Sequence, residues 1–255
     1  ILVDKGYKEL VLTSIHTGGY GLDFDNYRFY DLLKDLINKE DYNLAKTKFK
    51  AKEVHYVLGV GVDFSRFENV SVENGVKRKE IGVAEDAFLL LSVGELSERK
   101  NHKVIIKALA KLNNPKIHYA IAGVGDKKKY LLDLADSLGI SKQIHLLGFR
   151  NDIEELTHSA DLFCFPSFRE GLSVALMEAM VSELPIVCSN IRGNVDLIDG
   201  EGGLLFDPKS VDSCYQAIKN VMNRDTEKMG KYNKQYVQKY SNQEVLKRMK
   251  NLYES

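Results

Sequence analysis

Short apolar runs alternate with amphipathic segments along the chain from residue 87 onward. Strands that are covered on both faces read as continuous apolar runs, so this alternation predicts a parallel sheet with helices on both sides. Because crossover connections are right-handed, the pattern favours an α/β, doubly wound, Rossmann-like sheet. The predicted strands cover residues 87–94, 117–123, 143–148, 162–167, 185–189 and 203–207.

The segments between these runs have helical spacing of apolar residues, as in "HKVIIKALAKL" (102–112) and "KYLLDLADSLG" (129–139). After the last run, residues 209–255 read as helices only. Ser241 is a candidate N-cap there, because Glu244 follows three residues later as in a capping box.

In a doubly wound sheet, ligands bind outside the carboxyl ends of the strands. Each loop that follows one of the first five predicted strands contains a glycine, which allows a backbone to approach a ligand closely. These loops comprise residues 94–96, 123–125, 148–150, 167–171 and 190–194.

The stretch "GELSERKNH" (94–102) places Lys100 between a strand and a helix. A helix N-terminus attracts anions, and a lysine there is a suitable point charge for phosphate. A solvated lysine in an ordinary turn is the alternative interpretation.

The stretch "FREGLSVALMEAM" (168–180) predicts a loop and then a helix that starts near Leu172. Glu170 precedes this helix, and Glu178 is the only charged residue of an apolar, hence buried, segment, roughly two turns inside it. A buried carboxylate needs a partner. Glu178 either pairs with a nearby basic side chain or accepts hydrogen bonds from ribose hydroxyls, as acidic residues do in dinucleotide folds.

A third stretch, residues 189–208, contains Arg192-Gly193-Asn194 after a strand, where a short helix is predicted to open. Gly200, Gly202 and Gly203 then predict a tight turn before the last strand. The alternative is a polar loop with ordinary turn chemistry.

Composition narrows the class of protein. Lys+Arg and Asp+Glu both number 36, so no net charge attracts nucleic acid or an anionic membrane. Cys164, Cys188 and Cys214 are few and widely spaced, which indicates reduced, buried thiols of a cytosolic protein and neither disulfides nor a zinc site. No apolar run approaches the roughly 20 residues of a membrane span.

The motifs together resemble the nucleotide-binding half of family 4 glycosyltransferases over about residues 37–255. The E-x7-E element, the Lys-Asn loop and the "GFR-N-D" loop occur in that family's order and spacing. The resemblance implies a retaining enzyme of the two-domain GT-B architecture that needs no metal and no cofactor. It implies a nucleotide-sugar donor such as a UDP- or GDP-sugar, and a saccharide or lipid-linked acceptor in surface polysaccharide synthesis. We therefore expect a cytoplasmic protein that associates, if at all, peripherally with the inner face of the membrane.

The resemblance also implies residue roles. Lys100 would neutralise the donor diphosphate and Glu170 would contact the transferred sugar, and these two are the expected catalytic residues. Glu178 would bind the ribose hydroxyls. The remaining expected donor-site residues are Gly171, Leu172 and Ser173, through their N–H groups, the base-pocket loop Gly148, Phe149 and Arg150, and the loop residues Gly94, Glu95 and Arg99.

Two positions depart from the family pattern. Many members carry a basic residue where this chain has Glu95. Either Lys100 therefore neutralises the diphosphate without a second basic residue, or Arg99 takes the place of that residue. The usual "small-x-Gly-x-Pro" turn is "SELP" here, with Glu183 in place of glycine.

The amino-terminal part has a different character. Residues 37–67 resemble the end of the family's N-terminal domain and its linker. Residues 5–36 resemble a strand-loop-helix unit of radical-SAM methylthiotransferases, but the C-x3-C-x2-C motif that binds the cluster is absent, so that activity is not supported. We expect a βα segment of different ancestry at 1–36, a linker and domain remnant at 37–75, and the Rossmann-like domain at 76–255.

Two functional hypotheses follow from the sequence. One is a glycosyltransferase that acts on a saccharide or lipid-linked acceptor. The other is an isolated nucleotide-sugar-binding module without the acceptor half. Neither involves nucleic acid, and the sequence predicts no oligomeric state.

Overall fold

The fold is known from a computed structural model that describes residues 61–68, 70 and 75–254. Six parallel strands form one sheet in the order β3-β2-β1-β4-β5-β6. This order is that of a doubly wound Rossmann-like sheet, and the predicted fold class and six strands are confirmed. The strands are β1 (Phe88–Val93), β2 (Ile117–Ala122), β3 (Ile144–Gly148), β4 (Leu162–Phe165), β5 (Ile186–Ser189) and β6 (Gly203–Phe206).

Helices follow the strands and cover both faces of the sheet. Short 3-10 turns lie at Ser141–Gln143 and Gln238–Tyr240. The α-helices are α1 (Ser65–Glu68), α2 (Val76–Glu80), α3 (His102–Leu112), α4 (Lys128–Ser137), α5 (Ile153–Ser159), α6 (Val174–Val181), α7 (Arg192–Val195), α8 (Val211–Met222), α9 (Thr226–Val237) and α10 (Asn242–Glu254).

Two hydrophobic clusters lie on the opposite faces of the sheet, because successive side chains of a strand point to opposite sides. In β1, Leu89 and Leu91 belong to the cluster that contains α6, whereas Leu90 belongs to the cluster that contains α3 and α8. All three leucines are buried. Burial on both faces explains why the strands read as continuous apolar runs.

Helix α6 begins at Val174, two residues after the predicted start, because Ser173 is its N-cap and its Oγ accepts a hydrogen bond from Leu176 N at 3.3 Å. Glu178 therefore lies just over one turn inside α6, and the expected two turns were wrong. The expectation of a wholly buried apolar helix also needs correction, because Leu172 and Val174 are 44% and 48% exposed at its start.

The turn after α6 contains Glu183, one of the two departures from the family pattern. Glu183 has a φ of 60°, which is the left-handed region that favours glycine. Its carboxylate pairs with Lys234 Nζ at 2.7 Å. A glutamate thus occupies a backbone conformation for which glycine is the usual residue.

The carboxyl-terminal part is helical, as predicted. Ser241 Oγ accepts a hydrogen bond from Glu244 N at 3.3 Å, which confirms the N-cap. Ser241 N donates to Gln238 O at 2.9 Å, so the second half of a capping box is replaced by a backbone bond. No helix within the described residues is long and apolar enough to cross a membrane.

The three cysteines are buried free thiols, as predicted. The expected boundary at residue 36, residues 5–36 and most of the predicted linker lie outside the described residues, so the expected domain limits stay predictions.

Candidate functional site

Asn101 fixes the loop between β1 and α3 at the carboxyl edge of the sheet. It adopts a φ of 53°, a conformation that asparagine tolerates better than most residues. Its Nδ2 donates to the carbonyl oxygens of Pro166 at 3.1 Å and Pro208 at 2.9 Å. One side chain thus ties the loop after β1 to the chain after β4 and after β6. Sequence reasoning gave Asn101 no role of its own: an asparagine directly before a helix suggests a side-chain N-cap, and the Asn101 side chain forms no such bond here.

Lys100 lies in a preformed position beside this anchor. Its Nζ is 4.7 Å from the ring centroid of Phe165, within the range of a cation–π contact. A Cβ on Gly94 would lie 3.1 Å from Lys100 Cε, so a glycine at this position leaves room for the lysine. Only 13% of the Lys100 side chain is exposed, and the interpretation as a solvated lysine in an ordinary turn was wrong.

Glu170 is joined to two cations through a single carboxylate oxygen. Lys100 Nζ lies 2.9 Å and Arg99 Nη1 lies 2.7 Å from its Oε1. Phe168 N also donates to Arg99 O at 2.9 Å, which joins the two loops through their backbones. The structure therefore places Arg99 beside Lys100, as the second of the two alternatives for the Glu95 departure requires. Glu95 itself is exposed and forms no ion pair within the described part of the chain.

The start of α6 presents free donors next to these cations. Within the described chain, no hydrogen-bond partner is found for the backbone N–H groups of residues 171–174. Unpaired N–H groups and the helix dipole together favour an anion at this end of a helix. The expected donors Gly171, Leu172 and Ser173 thus lie together at a helix N-terminus.

Helix α7 supports the loop that carries Glu170. A Cβ on Gly193 would lie 2.2 Å from Gly171 O and 2.6 Å from Glu170 O, so this close backbone contact requires a glycine. Asn194 fixes α7 to the end of β5, because its buried Nδ2 donates to Ser189 O at 2.9 Å. Sequence analysis identified this stretch only as a loop and short helix, and its role in positioning Glu170 depends on a contact between distant parts of the chain.

The Glu178 carboxylate forms no ion pair and no side-chain hydrogen bond among the described residues, so the alternative of a pair with a nearby basic side chain is not formed there. It is half-buried, and burial raises the pKa of its carboxyl group. The charge of Arg66 opposes this rise in pKa, while that of Glu154 on α5 adds to it. The Arg66 guanidinium itself is bound to Glu154, at 2.8 Å. A half-buried carboxylate without a partner is a candidate for binding a ligand.

The loop after β3 carries an exposed aromatic ring. Gly148 has a φ of 72°, and Gly123 N donates to its carbonyl oxygen at 2.8 Å. Phe149 is 75% exposed. The Arg150 guanidinium is instead bound to Asp152, at 2.7 Å, and to Glu80, at 2.6 Å. Arg150 thus holds the loop in place, and the exposed Phe149 side chain is available to contact a ligand.

These features lie along one edge of the sheet. β3 is three strands away from β4 in the sheet, which corresponds to about 14 Å at the usual strand spacing. Phe149 lies at one end of this span, and the cations and helix N–H groups lie at the other. Glu178 lies on α6 near α5, which follows the Phe149 loop. The edge can therefore hold an elongated anionic ligand.

The comparison with known families agrees with this fold. The family model described as "Glycosyl transferases group 1" matches residues 74–239, which is more than half of the chain. The chain belongs to this family.

Named relatives and a solved structure define the extent of the likeness. The chain is 36% identical over 178 residues to "Putative glycosyltransferase EpsD" of Bacillus subtilis, covering 67% of this chain and 46% of that protein. It is 32% identical over 171 residues to an Escherichia coli protein named UDP-Gal:alpha-D-GlcNAc-diphosphoundecaprenol alpha-1,3-galactosyltransferase, covering 65% of this chain and 44% of that one. The crystal structure of Anabaena HepE in complex with UDP superposes with a TM-score of 0.73 at 21% identity, covering 85% of this chain and 62% of that one.

The chain spans about half the length of the curated relatives that it matches. The GT-B type of the structural neighbours agrees with the expected architecture. None of these matches supports the resemblance of residues 5–36 to methylthiotransferases.

Proposed function

We propose that this chain is the donor-binding half of a retaining glycosyltransferase that transfers a sugar from a nucleotide-sugar to a saccharide or lipid-linked acceptor. The observation that carries the proposal is a combination on one helix, judged among the described residues: unpaired N–H groups beside two cations at its start, and a carboxylate without an ion-pair partner one turn further on. A nucleotide-sugar offers the matching groups: a diphosphate, a sugar on one side and ribose hydroxyls on the other.

In this proposal the negative charge that develops on the diphosphate as the sugar departs is stabilised by Lys100, Arg99 and the N–H groups of α6. Donors fixed in position before the reaction need no reorganisation when that charge appears. These groups balance the diphosphate charge without a metal ion. Glu170 contacts the transferred sugar, Glu178 accepts hydrogen bonds from the ribose hydroxyls, and Phe149 stacks on the base.

The names of relatives suggest the ligands to test first. One relative carries UDP-Gal and a diphosphoundecaprenol acceptor in its name, and a structural neighbour was crystallised with UDP. We propose a uridine nucleotide-sugar as the first donor class to test and a lipid-linked saccharide as the first acceptor class, which would place the protein in the cytoplasm beside the membrane.

Calorimetric titration of the 255-residue chain with UDP, GDP and ADP tests the donor site. We expect one of these nucleotides to bind, and Glu178→Ala to weaken that binding by about 10- to 100-fold, as for the loss of hydrogen bonds to a charged group. Glu201→Gln is the matched control, because Glu201 is exposed and lies before β6, at the opposite edge of the sheet.

Stability provides an independent measurement on the same variant. Because Glu178 is a half-buried carboxylate with no ion-pair partner in the described part of the chain, its removal should raise the melting temperature of the unliganded protein, while nucleotide affinity falls. A lower melting temperature with unchanged affinity would show that Glu178 has a structural role. A transfer assay with a lipid-linked acceptor then distinguishes a transferase from the alternative of a binding module.

A further inference from the structure

Arg99 and Lys100 both bind the same oxygen of Glu170, and this arrangement is more than a surface ion pair. The two cation–oxygen distances are 2.7 and 2.9 Å, and only 13% of the Glu170 side chain is exposed. Arg99 Nη1 also donates to Arg169 O at 3.1 Å. The carboxylate thus occupies the point on which the two cations converge.

The charges around Glu170 do not balance. Two cations face one carboxylate, and within the described residues neither Arg99 nor Lys100 has a second acidic partner. The unpaired N–H groups at the start of α6 directly follow Glu170 in the chain and add partial positive charge. The site therefore retains attraction for an anion with more than one negative charge, and a diphosphate carries more charge than a carboxylate.

We propose that Glu170 holds the anion position of Lys100 and Arg99 in the unliganded protein, and that the donor's diphosphate displaces it. In this exchange, which rests on the proposed function, the diphosphate takes both cations and the Glu170 carboxylate is released. The freed carboxylate is next to the diphosphate, on the loop that precedes α6, where the sugar of a bound donor lies. Glu170 thereby competes with a plain nucleoside diphosphate, which carries no sugar to receive the released carboxylate.

The exchange makes an uncommon prediction: removal of a charged site residue should strengthen binding of the leaving nucleotide. Glu170→Gln keeps the size of the side chain and removes its charge. We expect this variant to bind UDP, or whichever of UDP, GDP and ADP the wild type binds, at least about fivefold more tightly.

The matched control is Glu98→Gln, in the loop that carries the two cations. Glu98 is an exposed carboxylate paired with Lys103, and it forms no ion pair with Arg99 or Lys100. This variant makes the same change in net charge, so it measures the general electrostatic effect alone. We expect it to change the affinity less than twofold.

Arg99→Gln tests whether the shared oxygen is the cause. When one of the two cations is absent, Glu170 is held less firmly, so the gain in affinity from Glu170→Gln should shrink in the double variant. Circular dichroism and thermal unfolding of each variant establish that it is folded. Should Glu170→Gln fail to fold, Glu170→Asp serves instead, because its shorter side chain withdraws from the cations and should also tighten binding.

The possible results are distinct. If wild type binds a nucleoside diphosphate and Glu170→Gln binds it equally or more weakly, the exchange is wrong and the donor site stands. An equal gain in Glu98→Gln likewise overturns the exchange, because the effect is then general. If none of the three nucleotides binds to folded wild type or to Glu170→Gln, both the exchange and the proposed function fail.

Discussion

Gly193→Ala should impair the donor site without any change to a group that contacts the ligand. The new Cβ would lie 2.2 Å from Gly171 O, whereas contacts of this kind are ordinarily above 3 Å. The loop that carries Glu170 must therefore move by about 1 Å, or α7 must move by as much. Asn194 opposes movement of α7, because its buried side chain is bound to the end of β5.

A displacement of about 1 Å is enough to misplace hydrogen-bond donors in a preorganised site. In enzymes, a misplacement of this size can lower the catalysed rate by up to about 100-fold. We expect the affinity of Gly193→Ala for a nucleoside diphosphate to fall by about 10-fold or more, as measured by calorimetry. The free energy of unfolding should fall by about 1–3 kcal/mol, which is typical of overpacking, and the variant should remain folded.

Val195→Ala is the control for this variant, because Val195 is in the same short helix and is 41% exposed. We expect wild-type affinity from it. If Gly193→Ala loses stability but keeps wild-type affinity, α7 does not position the Glu170 loop and the reasoning is refuted.

Three further predictions concern the protein around the site. Burial lowers the pKa of His102 to about 4. As the pH falls, the unfolded chain therefore takes up a proton on His102 before the folded chain does. Up to about 3 kcal/mol of stability should be lost as the pH falls from about 6.5 to 4. Urea unfolding at several pH values should show this loss reduced in His102→Gln, and parallel profiles for the two proteins would contradict it. Burial raises the pKa of all three cysteine thiols, so they should react with a thiol reagent at pH 8 only in denaturant; rapid labelling of the native protein would show that they are accessible. Loss of the ion pairs that hold the Phe149 loop in Arg150→Met should weaken nucleotide binding severalfold with little effect on inorganic pyrophosphate, and equal losses for both would exclude a role for this loop at the base.

The strands were predictable because their burial on both faces leaves a direct trace in the sequence. Leu89, Leu90 and Leu91 are consecutive and buried, and such a run is typical of a strand in a covered parallel sheet. The start of α6 was harder to predict, because both Leu172 and Val174 are apolar and yet exposed. Capping by Ser173 determines that start, and an apolar pattern does not report it.

Candidate site residues could be singled out from the sequence where they belong to one local motif. Lys100, Glu170 and Glu178 were singled out from their positions relative to strand ends and a helix. The contacts of Asn101 and Gly193 were not predictable in this way, because each joins segments that are far apart in the chain. The proximity of Arg99 to Glu170 was likewise not predictable from the sequence, because it is a distance across two loops.

We propose that the edge formed by Lys100, Arg99 and the start of α6 binds the diphosphate of a nucleotide-sugar. A crystal structure of the chain with its best-bound nucleoside diphosphate tests this most directly. We expect the diphosphate within hydrogen-bond distance of Lys100 Nζ and of N–H groups of residues 171–173, with the Glu170 carboxylate moved away from both cations. A nucleotide bound elsewhere on the protein, with the Glu170 ion pairs intact, would contradict the account.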